Sequence, residues 1–292
     1  MEKLKYSDIL HRLEGFDPWL ISLGLTPRSN DRLHEAFKFL RKADELSRRG
    51  HETGQYADIL PQDWFPVVEA LEAHDVFAAF HNAPSSAIAP ALKRALSGPL
   101  QPIEENRKNV DGRNIWFELA LAAEWRLRGA DVRLEEPDLC LTKDGVTFLI
   151  ACKRPGSNNS IQSNLEDALK QLRNNLDSRR DNSFGVAAIS LSRVFNAGDQ
   201  VFVGDTKGLR DHLVNWLDEN ISYFSTFDDP RICCILFHVA TPGLGGDEVD
   251  LVRSSFTAAI ELTPSSGSKI FEQHAHDMET SPKQFWEHSP DR

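Results

Sequence analysis

The sequence predicts an α/β protein: a helical domain over residues 1–103, a mixed-sheet α/β domain over 104–264 and a polar tail over 265–292. Three observations predict it. Residues 1–103 carry apolar side chains at helical spacing and no strand pattern. SGPLQPIEEN (97–106) then interrupts, with prolines and a glycine that extend neither neighbouring helix. From residue 113 the order becomes helix, three strands, helix, strand, helix, strand, which is α/β grammar.

The N-terminal helices are read from periodicity. Leu33, Phe37, Leu40 and Leu46 share a face in 30–50, with Gly50 as the stop. Residues 61–83 continue the pattern across Pro66, and 87–98 across Pro90. Residues 113–129 form a strongly apolar helix ended by Gly129. Strands follow at 131–135, 138–142 and 146–153, and Asp144-Gly145 is a two-residue hairpin signal. A polar loop leads to a helix over 164–176. The apolar runs 184–192 and 231–240, separated by a helix over 206–221, suggest a parallel crossover. Helices are expected on both faces of the sheet. GLGG (243–246) lacks the setting and lysine of a phosphate loop and is read as a loop. His274, His276 and Asp277 lie in the polar tail and are read as a solvated segment.

Composition narrows the class. With 292 residues, 40% hydrophobic and 26% charged, the chain has ample material for a buried core. No apolar run approaches the roughly 20 residues that cross a bilayer, and acids and breakers interrupt the first 25 residues where a signal peptide needs an apolar core. Cys140, Cys152, Cys233 and Cys234 sit in strand-like runs with no C-x-x-C pair, so a disulfide framework and a zinc ribbon are excluded. The expected location is the cytoplasm. No G-x-S-x-G elbow is present. The net charge of −11 argues against bulk electrostatic capture of nucleic acid. Residues 104–180 balance 13 basic against 13 acidic side chains, whereas residues 181–292 carry 8 against 17. A local basic groove is compatible with the neutral middle segment.

The hairpin geometry carries the chemistry. A two-residue Asp144-Gly145 turn sets Lys143 opposite Val146, Asp138 opposite Ala151 and Glu136 opposite Lys153. Glu136, Asp138, Ala151 and Lys153 then share one face, and Leu139, Leu141, Phe148 and Ile150 the other. Acids and a lysine beside an apolar core need a partner, and a divalent cation supplies one. Glu118 lies near the middle of the stripe formed by Ile115, Leu119, Ala122 and Trp125, an unusual place for an acid.

EEPDLCLTKDGVTFLIACKRP (135–155), with WFELALAAEWRLRG before it and LEDALKQLR after it, resembles the core of the PD-(D/E)xK, or restriction-endonuclease-like, nuclease superfamily. The resemblance covers roughly residues 104–240. It implies a restriction-endonuclease-like core and magnesium-dependent hydrolysis of phosphodiester bonds in nucleic acid, DNA ahead of RNA, with manganese as a substitute. It assigns the helix glutamate to Glu118, the PD aspartate to Asp138, the lysine to Lys153 and a supporting glutamine to Gln171. The metal would be held by Asp138, the backbone carbonyl of Cys152 and a second carboxylate.

One position departs from the pattern: the acid two residues before the lysine is Ala151. Three alternatives stand. Glu166 supplies the acid from the following helix, Glu136 supplies it from the hairpin, or the site no longer cleaves and the fold serves binding or regulation. In that last case the N-terminal helical domain would engage a protein partner or a second copy. Glu166 also completes a capping box with Ser163, and Gln171 lies off the stripe of Leu165, Ala168, Leu169 and Leu172, as a surface glutamine would.

Overall fold

The computed structural model describes residues 6–29, 31–53, 61–99, 101–106, 108–179, 182–197, 202–203, 206–220, 229–245, 250–261, 269 and 271. The tail over 265–292, with His274, His276 and Asp277, otherwise lies outside the described residues.

The chain is an α/β protein: a helical N-terminal region, then a mixed sheet with interleaved helices, five main strands joined by two more beside the last of them. The helices are α1 (Tyr6–Leu13), α2 (Phe16–Ser22), α3 (Arg32–Thr53), α4 (Pro61–Phe80), α5 (Ser85–Ala95) and α6 (Asp111–Leu127). Gly50 does not stop α3, which runs on to Thr53. A glycine costs a helix only about 1 kcal/mol relative to alanine, so a long helix absorbs it. Pro66 and Pro90 are each the sixth residue of their helix. The bond each forfeits would reach only the second residue, so each helix loses little.

Two compact units divide the chain. The first holds the sequence up to Glu124 with residues 196–205 and 241–254. Its core joins Phe16, Trp19, Phe37 and Phe77 by edge-on ring contacts. Glu69 on α4 pairs with both Arg32 and Arg113, and Arg113 reaches Glu105 at 2.8 Å. All four are buried, and removing one partner of such a set costs about 3–5 kcal/mol.

The second unit holds residues 125–195, 206–240 and 255–292. Its strands are β1 (Asp131–Glu135), β2 (Asp138–Lys143), β3 (Val146–Lys153), β4 (Ser183–Ser190) and, up to Ala240, β6 (Ile232–Gly245), hydrogen-bonded in the order β1-β2-β3-β4-β6. The first three are antiparallel; β3, β4 and β6 run parallel. Two strands absent from the sequence reading, β5 (Phe202–Val203) and β7 (Asp250–Glu261), also pair with β6. Phe202 and Val203 lie opposite Gly243 and Leu244, so the GLGG segment continues a strand through Gly245 instead of forming a loop.

Helix α7 (Ile161–Leu176) packs on β3 and β4 with Ile161, Leu165, Ala168, Leu169, Leu172 and Leu176 buried. A Cβ on Gly185 would meet Leu172, Leu176 and Ile232 at 3.3 Å each, so the missing side chain seats this helix close to the sheet. On the opposite face Phe148 packs at a tilt against Phe271, which meets Trp125 of α6. Helices α8 (Ser192–Phe195) and α9 (Thr206–Asn220) complete the set. No helix among the described residues is long and apolar enough to cross a membrane.

Candidate active site

Two hairpins make the site. Glu136 and Pro137 form the turn between β1 and β2, closed by the Glu135–Asp138 pair. Asp144 and Gly145, both at positive φ, form the turn between β2 and β3. The second register runs from Lys143–Val146 to Leu139–Ile150, as the two-residue turn requires. One step further, Asp138 comes level with Ala151 at the start of β2.

The ladder then changes character. By the same register Pro137 would stand opposite Cys152, but β2 begins only at Asp138. The Cys152 amide donates to Asp138 Oδ2 at 2.7 Å, so a side chain takes the place of the backbone acceptor. Gln171 Nε2 occupies the Pro137 carbonyl at 2.8 Å and also donates to Asp138 Oδ1 at 3.3 Å. Its Oε1 accepts from Lys153 Nζ at 2.6 Å, and Lys153 Nζ lies 3.8 Å from Asp138 Oδ2. The lysine and aspartate side chains are 23% and 15% exposed, so the pair is held yet within reach of solvent.

Burial raises the pKa of Asp138. Lys153, the Cys152 amide and Gln171 oppose that shift, and Glu136 adds to it. A desolvated carboxylate beside one lysine gains from further positive charge.

The structure therefore brings together Asp138, Lys153, Gln171 and the backbone of Cys152. The expectation that Gln171 is a plain surface glutamine does not hold. It is half-buried and links the other two side chains. Ala151 is fully buried, level with Ala187 of β4. Glu136 is exposed in the turn and does not extend the ladder to Lys153, because β2 begins at Asp138. Glu166 is exposed on α7 and accepts from Gln162 at 3.0 Å. Its capping box with Ser163 is absent, since α7 begins at Ile161 and the box lies earlier, between Ser157 and Ser160. Glu166 and Gln171, five positions apart, point about 140° from each other around the helix. Glu118 is half-buried on α6 in the first unit.

Among the described residues, no three His, Cys, Asp or Glu side chains gather into a set that could hold a metal ion. Magnesium, however, often takes one or two carboxylates and completes its shell with water and substrate phosphate oxygens. Asp138, a hard and desolvated oxygen donor, fits that sparse arrangement; a cage made of protein side chains alone does not.

A second cluster lies on the hairpin. Glu135 contacts Arg179 at 3.1 Å and Arg133 at 3.4 Å, and Arg133 reaches Cys140 Sγ at 3.4 Å. Burial and the neighbouring Glu135 push the Cys140 thiol up to about 11, so it stays protonated and unreactive.

No family model matches the chain, and neither does any curated protein or solved structure. The resemblance to the restriction-endonuclease-like superfamily therefore stands on the hairpin residues themselves.

Proposed function

We propose that this chain hydrolyses phosphodiester bonds in nucleic acid, DNA ahead of RNA, as a magnesium-dependent endonuclease of the PD-(D/E)xK type. The observation that carries the reading is the triangle of Asp138, Lys153 and Gln171, two hydrogen bonds and one ion pair, at the C-terminal end of the central strand β3. When bound, the metal would lower the pKa of a water and neutralise charge on the phosphate; manganese would substitute.

The chain's own residues divide the remaining work. Lys153 presents a fixed cation where charge builds on the scissile phosphate, which is worth more than a mobile one because its geometry is set beforehand. Gln171 fixes it, holding Nζ with its carbonyl oxygen while its amide nitrogen is tied to Pro137 and Asp138. Asp138 keeps one oxygen on the Cys152 amide, which sets the plane of the carboxylate and so the direction of its remaining lone pairs.

The test uses the full chain on plasmid, single-stranded circular DNA and RNA with Mg²⁺ or Mn²⁺. Cleavage is expected, with Lys153→Met and Asp138→Asn each at least about 100-fold slower. Glu118→Gln in the same assay reads the residue that the resemblance adds. Intact substrates with both metals would overturn hydrolysis.

A specific observation favours a second reading. Ala151 occupies the strand-acid position, and among the described residues no set of three potential metal ligands is gathered there. In that reading the fold binds nucleic acid or protein without cutting, with the helical N-terminal region as partner module. DNA binding that persists in EDTA and survives Asp138→Asn, without cleavage, would select it.

A further inference from the structure

We infer that a cavity between α7 and α9 receives one unpaired nucleobase of the nucleic acid, an inference that rests on the nuclease reading above. The cavity has a volume of about 270 Å³. That is below the roughly 300–1,000 Å³ of sites for drug-sized ligands, and suits a single heterocycle.

Its walls divide by chemistry. Ile161 and Leu165, both on the buried stripe of α7, give it an apolar floor, and the half-buried Trp216 of α9 gives it an aromatic wall. Edge-on contacts with Phe195 and Phe237 hold the indole in place. The polar groups among the described residues are amides: Asn158, Asn159, Gln162 and Asn220. Among the described residues the lining offers no charged side chain to pair with a phosphate or metal ion. A flat, neutral, hydrogen-bonding ring finds stacking and amide partners together.

The hydrogen bonds already made show which groups are left. Asn220 donates Nδ2 to the Trp216 carbonyl at 2.7 Å and Gln162 donates Nε2 to Glu166 at 3.0 Å, so both retain an acceptor oxygen. Asn158 and Asn159 have no side-chain partner among the described residues. The 3-10 turn that carries them is preset, because Ser157 N donates to Ser160 Oγ at 3.1 Å and that hydroxyl returns to the Ser157 carbonyl at 2.8 Å. Carboxamides pair bidentately with adenine, so adenine is the favoured base. Asn158 lies five Cα steps beyond Lys153, a span of at most about 18 Å. A strand whose backbone passes Lys153 therefore has a base within reach of the cavity.

The experiment measures binding of the full chain to fluorescein-labelled single-stranded DNA dodecamers by anisotropy, in Ca²⁺ to hold cleavage off. The series is an all-thymine strand, single adenines at each position, and abasic sites at the same positions. One register is expected to prefer adenine and to lose about 5–100-fold in affinity when abasic, the range of one base–aromatic stack. Asn158→Ala with Asn159→Ala, both exposed, should erase the adenine preference at unchanged Tm. Trp216→Ala should remove the abasic penalty, and Trp216→Phe, which keeps a stacking face, should retain most of it if the alanine variant fails to fold. Equal affinity for abasic and complete strands, or saturable binding of chitobiose or maltose in the cavity instead, overturns the inference. Cleavage dependent on Lys153 alongside abasic indifference would sink the cavity and spare the nuclease. A base preference without cleavage would do the reverse.

Discussion

Asp138 begins a strand, accepts a backbone amide, faces a lysine and is desolvated enough that its pKa rises. A group whose folded-state pKa lies above its unfolded value favours folding fully below the unfolded pKa, and loses that favour as pH rises through the folded one. Wild type is therefore expected to gain stability relative to Asp138→Asn as pH falls from about 7 toward the ordinary aspartate value near 4. Urea midpoints for the two proteins across that range check it. A wild-type advantage that instead grew toward neutral pH would mean that Lys153 and the amides outweigh burial. At neutral pH the asparagine variant should fold at least as well as wild type while losing cleavage, the mark of a residue kept for chemistry.

At the scale of elements, Gly185 is the contact on which the seat of α7 depends. Gly185→Val would press on Leu172, Leu176 and Ile232, already 3.3 Å from the position of a Cβ. Overpacking of this kind costs about 1–3 kcal/mol. A lowered midpoint of chemical denaturation is expected, and cleavage per folded molecule should also fall because α7 carries Gln171. The sequence disclosed this element well: the apolar stripe Leu165, Ala168, Leu169 and Leu172 is buried as periodicity required. The hairpin register was equally legible, since Asp144-Gly145 leaves only one alignment of β2 and β3. What escaped was non-local. Gln171 looks like a surface residue in its own helix, and only the β1–β2 turn arriving beside it turns it inward. Glu136 fell on the right face of an extended strand, but Pro137 and the turn end the strand first. The edge strand β5 is two residues long, too short for any period to register.

For the molecule as a whole, charge sets the terms of any encounter with nucleic acid. With a net charge of −11 and 8 basic against 17 acidic residues after position 180, few cations are available to displace counterions from a phosphate backbone. Each phosphate contact contributes about 0.9 to the salt slope of duplex binding. The slope of log K against log salt is accordingly expected to stay below about 4 in magnitude, measured by anisotropy between 50 and 300 mM salt. A slope near 8 would reveal a basic surface that the composition does not suggest. A weak electrostatic grip shifts selectivity toward local features such as a stacked base and a metal shared with the substrate.

The hydrogen bond from the Cys152 amide to Asp138 has a use beyond architecture. Because it ties a main-chain nitrogen to the carboxylate at the centre of the site, the ¹⁵N chemical shift of that single amide becomes a built-in indicator. Protonation of Asp138, the arrival of a cation or the approach of a phosphate would each alter the electron density on the accepting oxygen. The site can thus be followed in the unmodified protein, at one resonance, before any substrate is known.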